Sequence, residues 1–283
     1  MPNPRRFLAL AACIALGATS AIAQDAAAPA AGTNTRPLWE IGVVAGGISQ
    51  QAYPGSDRQV NRGLVLPWAT YRGRYLRADG ESIGVRAVRT PVYEFDISVA
   101  GAFGSRANDD PVRRGMPDLG TLVEFGPRLR VNLGGTAQDG LWRLDLPLRG
   151  VFDISDSFAY RGTIFQPGVS WSRRLPGAWN LGTSASLVIA DERLSSTFYE
   201  VEPVYATATR PAYEAKAGLL ATRLSASLTK NLSRDWTVYL FARADTVAGA
   251  ANRHSPLVSR TTGFTAGAGL SWTWLRSSEA ASD

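Results

Sequence analysis

"LWRLDLPLRG" (Leu141–Gly150) is the stretch on which the fold turns. Trp142, Leu144, Leu146 and Leu148 fall on one face, and Arg143, Asp145, Pro147 and Arg149 on the other. A period of two with one apolar and one polar side is the pattern of a β-strand that separates two environments. The question is which environment lies on the apolar side.

The same alternation recurs in both directions from this stretch. In "VEFGPRLRVNL" (Val123–Leu133), Val123, Phe125, Leu129, Val131 and Leu133 oppose Glu124, Gly126, Arg128, Arg130 and Asn132. "YEFDISV" (Tyr93–Val99) carries Glu94 and Asp96 on its polar side, "TRLSASLTK" (Thr222–Lys230) carries Arg223, and "WTVYLFARAD" (Trp236–Asp245) carries Arg243 and Asp245. No segment beyond the N-terminal leader shows a period of 3.6, so the chain is expected to be all-β. The runs predict twelve strands: 38–49, 63–71, 74–79, 82–90, 92–104, 120–133, 141–152, 162–174, 178–190, 216–231, 235–246 and 260–274. Their connections alternate between long and short. The stretches near 50–62, 105–119, 153–161, 191–215 and 247–259 are long and polar. Turns such as "YRGR" (Tyr71–Arg74) and "LSRD" (Leu232–Asp235) are short. An even strand count with short turns on one side and long loops on the other is the layout of a closed up-and-down antiparallel transmembrane β-barrel.

The last expected strand settles which way the faces point. Gly263, Thr265, Gly267, Gly269, Ser271 and Thr273 share one side, where a water-soluble barrel would need bulky core residues. Phe264, Leu270, Trp272 and Trp274 form the other, and aromatic residues mark many strand ends, as interfacial girdles do. An Arg facing lipid at mid-depth would cost about 2–4 kcal/mol. The charged rows are therefore expected to point inward and the Leu rows toward lipid.

The N-terminus reads as a leader. Arg5 and Arg6 precede an apolar run, Phe7–Ser20, and Ala21-Ile22-Ala23 supplies small residues for cleavage. Residues 1–23 are thus expected to be removed as a signal peptide, lowering the formal charge from +6 to +4. "LAAC" (Leu10–Cys13) offers the rival reading of a lipidated Cys13. Gln24–Arg36 reads as a flexible Ala/Pro-rich lead-in, 37–274 as the barrel and 275–283 as a C-terminal tail. Cys13 is the only cysteine, so the mature chain has none. Of the 30 basic residues only Lys216 and Lys230 are Lys, and no basic cluster suggests nucleic acid.

Several short motifs together resemble the MipA/OmpV family of MltA-interacting outer-membrane proteins. They are "WEIGVVAGG" (Trp39–Gly47), the turn "AYPGSD" (Ala52–Asp57), "LPWATYRGRYLRADGESIG" (Leu66–Gly84), "FYEV" (Phe198–Val201) and the terminal "GLSWTW" (Gly269–Trp274). Family barrels usually end on the final aromatic residue, whereas "LRSSEAASD" follows here. The resemblance implies a non-enzymatic outer-membrane scaffold. Such a barrel would assemble peptidoglycan-remodelling hydrolases and synthases, in contact with outer-membrane lipid and lipopolysaccharide.

Candidate interior residues are Glu94, Asp96, Glu124, Arg128, Arg130, Arg143, Asp145, Arg149, Arg223, Arg243 and Asp245. They suit either an anion-preferring path for small solutes or a paired network that fills the interior. "AYPGSD" reads as a rigid turn at the outer rim, Asp191–Tyr213 as a folded lid, and Arg113-Arg114-Gly115 as a contact for lipopolysaccharide phosphates; a surface adhesin would use the same loops. The single histidine, His254, stands beside Ser255 and leaves an outer-membrane lipid esterase as the enzymatic alternative. With one His and no mature Cys, neither a zinc site nor any cofactor is expected.

Overall fold

The computed structural model describes residues 37–72, 76–79, 82–85 and 88–281. The expected signal peptide and the whole lead-in lie outside them. The strands are β1 (Trp39–Gln51), β2 (Gln59–Arg72), β3 (Leu76–Asp79), β4 (Ser82–Val85), β5 (Val88–Arg89), β6 (Tyr93–Ala102) and β7 (Leu122–Thr136). They continue with β8 (Gly140–Asp153), β9 (Ala159–Phe165), β10 (Gly168–Leu175), β11 (Trp179–Ala190), β12 (Gly218–Asn231), β13 (Trp236–Thr246) and β14 (Thr262–Arg276). All belong to one antiparallel sheet in the order β4-β3-β2-β1-β14-β13-β12-β11-β10-β8-β7-β6-β5. Except for β4/β5 and β9/β10, neighbours in sequence are neighbours in the sheet, and β1 pairs with β14 from Glu40↔Arg276 to Ser49↔Ala266. The sheet curls until β4 lies beside β6.

One of the twelve expected strands is interrupted. The expected strand 162–174 appears as β9 and β10, which share both neighbours: β8 and β11 pair with each of them. The break falls at Gln166-Pro167, where Pro167 has no N–H to give the ladder. Its carbonyl still accepts from the Leu187 N–H at 2.9 Å. Of the expected strand 82–90, β4 and β5 are the described parts, and residues 86–87 between them lie outside the described residues.

The faces are oriented as the alternation requires. On β14, Gly263, Thr265 and Ser271 are buried, while Phe264 is 63% and Trp274 65% exposed. On β8, Arg143 and Arg149 are buried while Trp142 and Leu148 are about half exposed. Long, regular strands of 11–15 residues (β1, β2, β7, β8, β11–β14) exceed the roughly 9–11 needed to cross a bilayer. Seven of the eight Trp cluster toward the short-turn end of the sheet, leaving only Trp68 on the inner face. Trp236 stacks on Trp272 at 5.9 Å, Trp142 meets Trp171 at 6.4 Å, and Lys230 lies over Trp179 at 5.0 Å. Amphipathic indoles and a snorkelling Lys suit a membrane–water boundary.

The buried apolar core sits at the opposite end, among the long loops. Tyr53, Leu119, Leu194, Tyr199, Val201, Leu220, Val247 and Leu257 pack together there. One helix belongs to it: α1 (Glu192–Tyr199), capped by Asp191, whose carboxylate accepts from the Leu194 N–H at 2.9 Å. This corrects the expectation of no helical segment. Eight residues give barely two turns, too few for a period of 3.6 to stand out.

Candidate functional site

The interior is built by strand register. Because side chains directly opposite on antiparallel strands are closest, the ladder dictates which charges meet. β6 and β7 place Glu94 opposite Arg130 and Asp96 opposite Arg128. β7 and β8 place Arg130 opposite Asp145, and β12 and β13 place Arg223 opposite Asp245. The side chains follow. Arg128 donates to both oxygens of Asp96 at 2.8 and 2.5 Å. Arg130 reaches Asp145 at 3.1 Å and Glu94 at 3.7 Å. Arg223 holds Asp245 through two bonds of 2.7 and 3.0 Å, and Arg243 shares that carboxylate at 3.3 Å. Arg149 donates to Glu124 at 3.0 Å and to Gln166 at 2.7 Å, and Arg143 donates to Asn132 at 3.2 Å.

All eleven candidate interior residues thus lie on the inner side, in pairs or small networks. They enclose a cavity of about 210 Å³ whose wall includes Glu124, Arg128, Arg130, Asp145, Arg149, Arg223, Arg243 and Asp245. Glu94, Asp96 and Arg143 stand away from it. Small hydroxylated residues, Ser170, Ser184, Ser186 and Ser225, complete the lining.

Above the cavity the long loops close into a plug, and the "AYPGSD" turn is its hub. Pro54 and Gly55 form the corner, Gly55 at φ +94°, with the Ser56 N–H returning to the Tyr53 carbonyl at 3.0 Å. From this corner hydrogen bonds radiate to the loops near 105–119, 191–215 and 247–259. The Tyr53 hydroxyl donates to the Leu257 carbonyl at 2.7 Å, and Ser56 donates to Asp110 at 3.1 Å. The Tyr199 hydroxyl donates to the Pro54 carbonyl at 2.8 Å. Ser259 and Arg260 donate backbone N–H groups to the Gly55 carbonyl. The Tyr53 ring packs between Phe198 and Tyr199, with the Arg113 guanidinium 5.6 Å from its centroid. Burial raises the Tyr53 and Tyr199 phenol pKa values and lowers that of Arg113.

Arg113 is therefore a plug residue: it is 4% exposed and donates to the Phe198 carbonyl, so it does not present a guanidinium to lipopolysaccharide. Arg210 has the same office. Nearly buried, it donates to the carbonyls of Tyr205, Val112 and Arg114, tying two loops together. Sequence reasoning missed Arg210 and Asp110 because their partners are distant loop atoms that leave no local pattern. In the lid, Asp191 is occupied by the Leu194 and Thr163 N–H groups. No cluster of potential metal ligands occurs among the described residues.

The His254–Ser255 pair does not converge. Ser255 is 3% exposed and donates to the Tyr199 carbonyl at 2.7 Å. His254 is exposed and accepts from the Arg253 Nε at 2.8 Å. At the short-turn end the tail folds back beside the first strand: Leu38 N–H donates to the Glu279 carbonyl and Pro37 bridges Ala280.

No curated protein sequence matches the chain. Among solved structures it is similar to one described as a bacterial polysaccharide outer membrane secretin, at 7% identity and a TM-score of 0.42, covering 83% of this chain and 99% of that one. It is also similar to OprB of Pseudomonas putida, at 8% identity and a TM-score of 0.37, covering 83% and 94%. The family model described as MltA-interacting protein MipA matches residues 43–274. That span runs from β1 through β14 and takes in both the charged rows and the plug, and the chain belongs to the MipA family.

Proposed function

We propose that the protein is a non-enzymatic outer-membrane scaffold. It is a closed twelve-strand barrel that holds peptidoglycan-remodelling enzymes beneath the membrane. The observation that carries this reading is the family itself, described by its interaction with MltA. The apolar outer face and the Trp band support an outer-membrane location. Counting β4 with β5 and β9 with β10 as single staves supports twelve strands, and closure satisfies edges that lipid cannot. A plugged mouth and a paired interior favour a structural role over free passage of solutes. On this reading the short turns, the lead-in and the tail face the periplasm, where murein enzymes work. The buried Ser255 and exposed His254 argue against the esterase alternative.

Affinity capture from envelopes tests the scaffold. Variants altered in the turns Ala137–Asp139 and Leu232–Asp235 and in the tail beyond Arg276 should lose murein-enzyme partners while remaining heat-modifiable on SDS gels. Unchanged capture by those variants, or wild-type capture without such enzymes, would reject the reading. The second reading, an anion-preferring pore, is favoured by the cavity alone. It requires conductance in planar bilayers that falls in Arg143→Ala and Arg149→Ala.

A further inference from the structure

The charges around the cavity do not sum to zero locally. On the β6–β8 side Arg128, Arg130 and Arg143 face Asp96, Glu94 and Asp145, three of each sign. A second group reaches across the interior from β7 and β8 to β12 and β13 and contains three guanidinium groups, Arg149, Arg223 and Arg243, but two carboxylates, Glu124 and Asp245. Glu124 interacts electrostatically with all three Arg, and all five residues line the cavity. Among the described residues this cluster carries one positive charge in excess. Arg243 is where the excess falls. Its Nε meets Asp245 at 3.3 Å, against 2.7 Å for Arg223, as an ion pair without hydrogen-bond geometry. Its remaining contact is a 3.2 Å bond to the Thr265 hydroxyl.

The Arg243 side chain is 30% exposed, and a guanidinium that shares its carboxylate while opening on a cavity can take an anion as a further partner. We propose that the cavity is a binding site for one small oxyanion, a carboxylate or an inorganic phosphate, held by Arg243 and its neighbours. The register supplies the other half of the site. Ser184 lies opposite Ser225, and Ser225 lies opposite Arg243, so two hydroxyl donors adjoin the guanidinium on one wall. Hydroxyl and guanidinium donors around a small space suit oxygen acceptors better than they suit chloride. A volume of about 210 Å³ admits phosphate or a short carboxylate and excludes an oligosaccharide. This site is independent of any protein partner at the short-turn end.

The test is calorimetric titration of inorganic phosphate, and separately of acetate, into the full folded protein in non-ionic detergent at constant ionic strength set with chloride. Saturable uptake with a stoichiometry of one is expected for at least one of them. Arg243→Gln should weaken it by about tenfold or more, the loss of one charge-assisted hydrogen bond. The exposed Arg58→Gln should bind as the parent does. Ser225→Asp places a carboxylate opposite Arg243. It should abolish uptake and raise the unfolding midpoint in oxyanion-free buffer, and it decides the matter if Arg243→Gln does not fold. Absence of saturable uptake in the parent, or parental affinity in folded Arg243→Gln or Ser225→Asp, would overturn the site.

Discussion

Tyr53→Ala should unlock the plug without unfolding the sheet. Tyr53 is 2% exposed; its ring meets Phe198, Tyr199 and Arg113, and its hydroxyl bonds Leu257. Truncating a buried aromatic side chain costs about 3–5 kcal/mol. At ~1.4 kcal/mol per factor of ten, the plug's opening equilibrium should rise by about two to four powers of ten. Tyr53→Phe keeps the ring and leaves the buried Leu257 carbonyl without its donor, costing about 1–3 kcal/mol. Chymotrypsin cleavage after Tyr199 and Leu257, which are 1% and 0% exposed, reports the opening directly. Where opening and closing outpace cleavage, the rate follows the open population. Tyr53 lies outside the β-ladder, so heat-modifiable migration should persist in both variants. Cleavage of Tyr53→Ala no faster than the parent would refute the hub, as would loss of the folded gel band together with the plug.

The remaining predictions follow from the same geometry. Tyr53 and Tyr199 have phenol pKa values raised by burial, whereas an opened plug ionises them near about 10. The plug is therefore fully stabilised by these groups below about pH 10 and weakens as pH rises above it. Tyrosinate absorbance should show two residues resisting ionisation until the loops open, and one in Tyr53→Phe. Leu224 is 58% exposed on the outer face, so Leu224→Arg should cost about 2–4 kcal/mol and impair insertion into liposomes. In a water-soluble barrel the same exposed change would be neutral, so normal insertion counts against the orientation. Asp245→Asn leaves Arg223 and Arg243 without their shared carboxylate, and the urea midpoint of the folded protein should fall by the equivalent of about 3–5 kcal/mol. His254→Ala should leave stability and lipid-ester hydrolysis unchanged from the parent.

Strand identity and face were legible in the sequence because they are local properties. A period of two in Leu141–Gly150 or Thr262–Trp274 says which residues share a side, and the cost of Arg in lipid says which side is inward. The same logic placed Pro54 and Gly55 in a turn, since a positive φ at Gly55 needs no distant partner. What the sequence could not supply was pairing. That Asp245 serves two Arg depends on the register between β12 and β13, which hydrophobic alternation sets only modulo two. The Gln166-Pro167 break was equally hidden, because a proline in an alternating run does not say whether its neighbours bridge the gap. The plug lay furthest from view. Ser56 meets Asp110 and Tyr53 meets Leu257 across 54 and 204 residues, through single polar atoms and carbonyls that carry no periodicity. Alternation repeats along a strand and so can be read from one chain; contacts between loops occur once each, and only the tertiary structure brings them together.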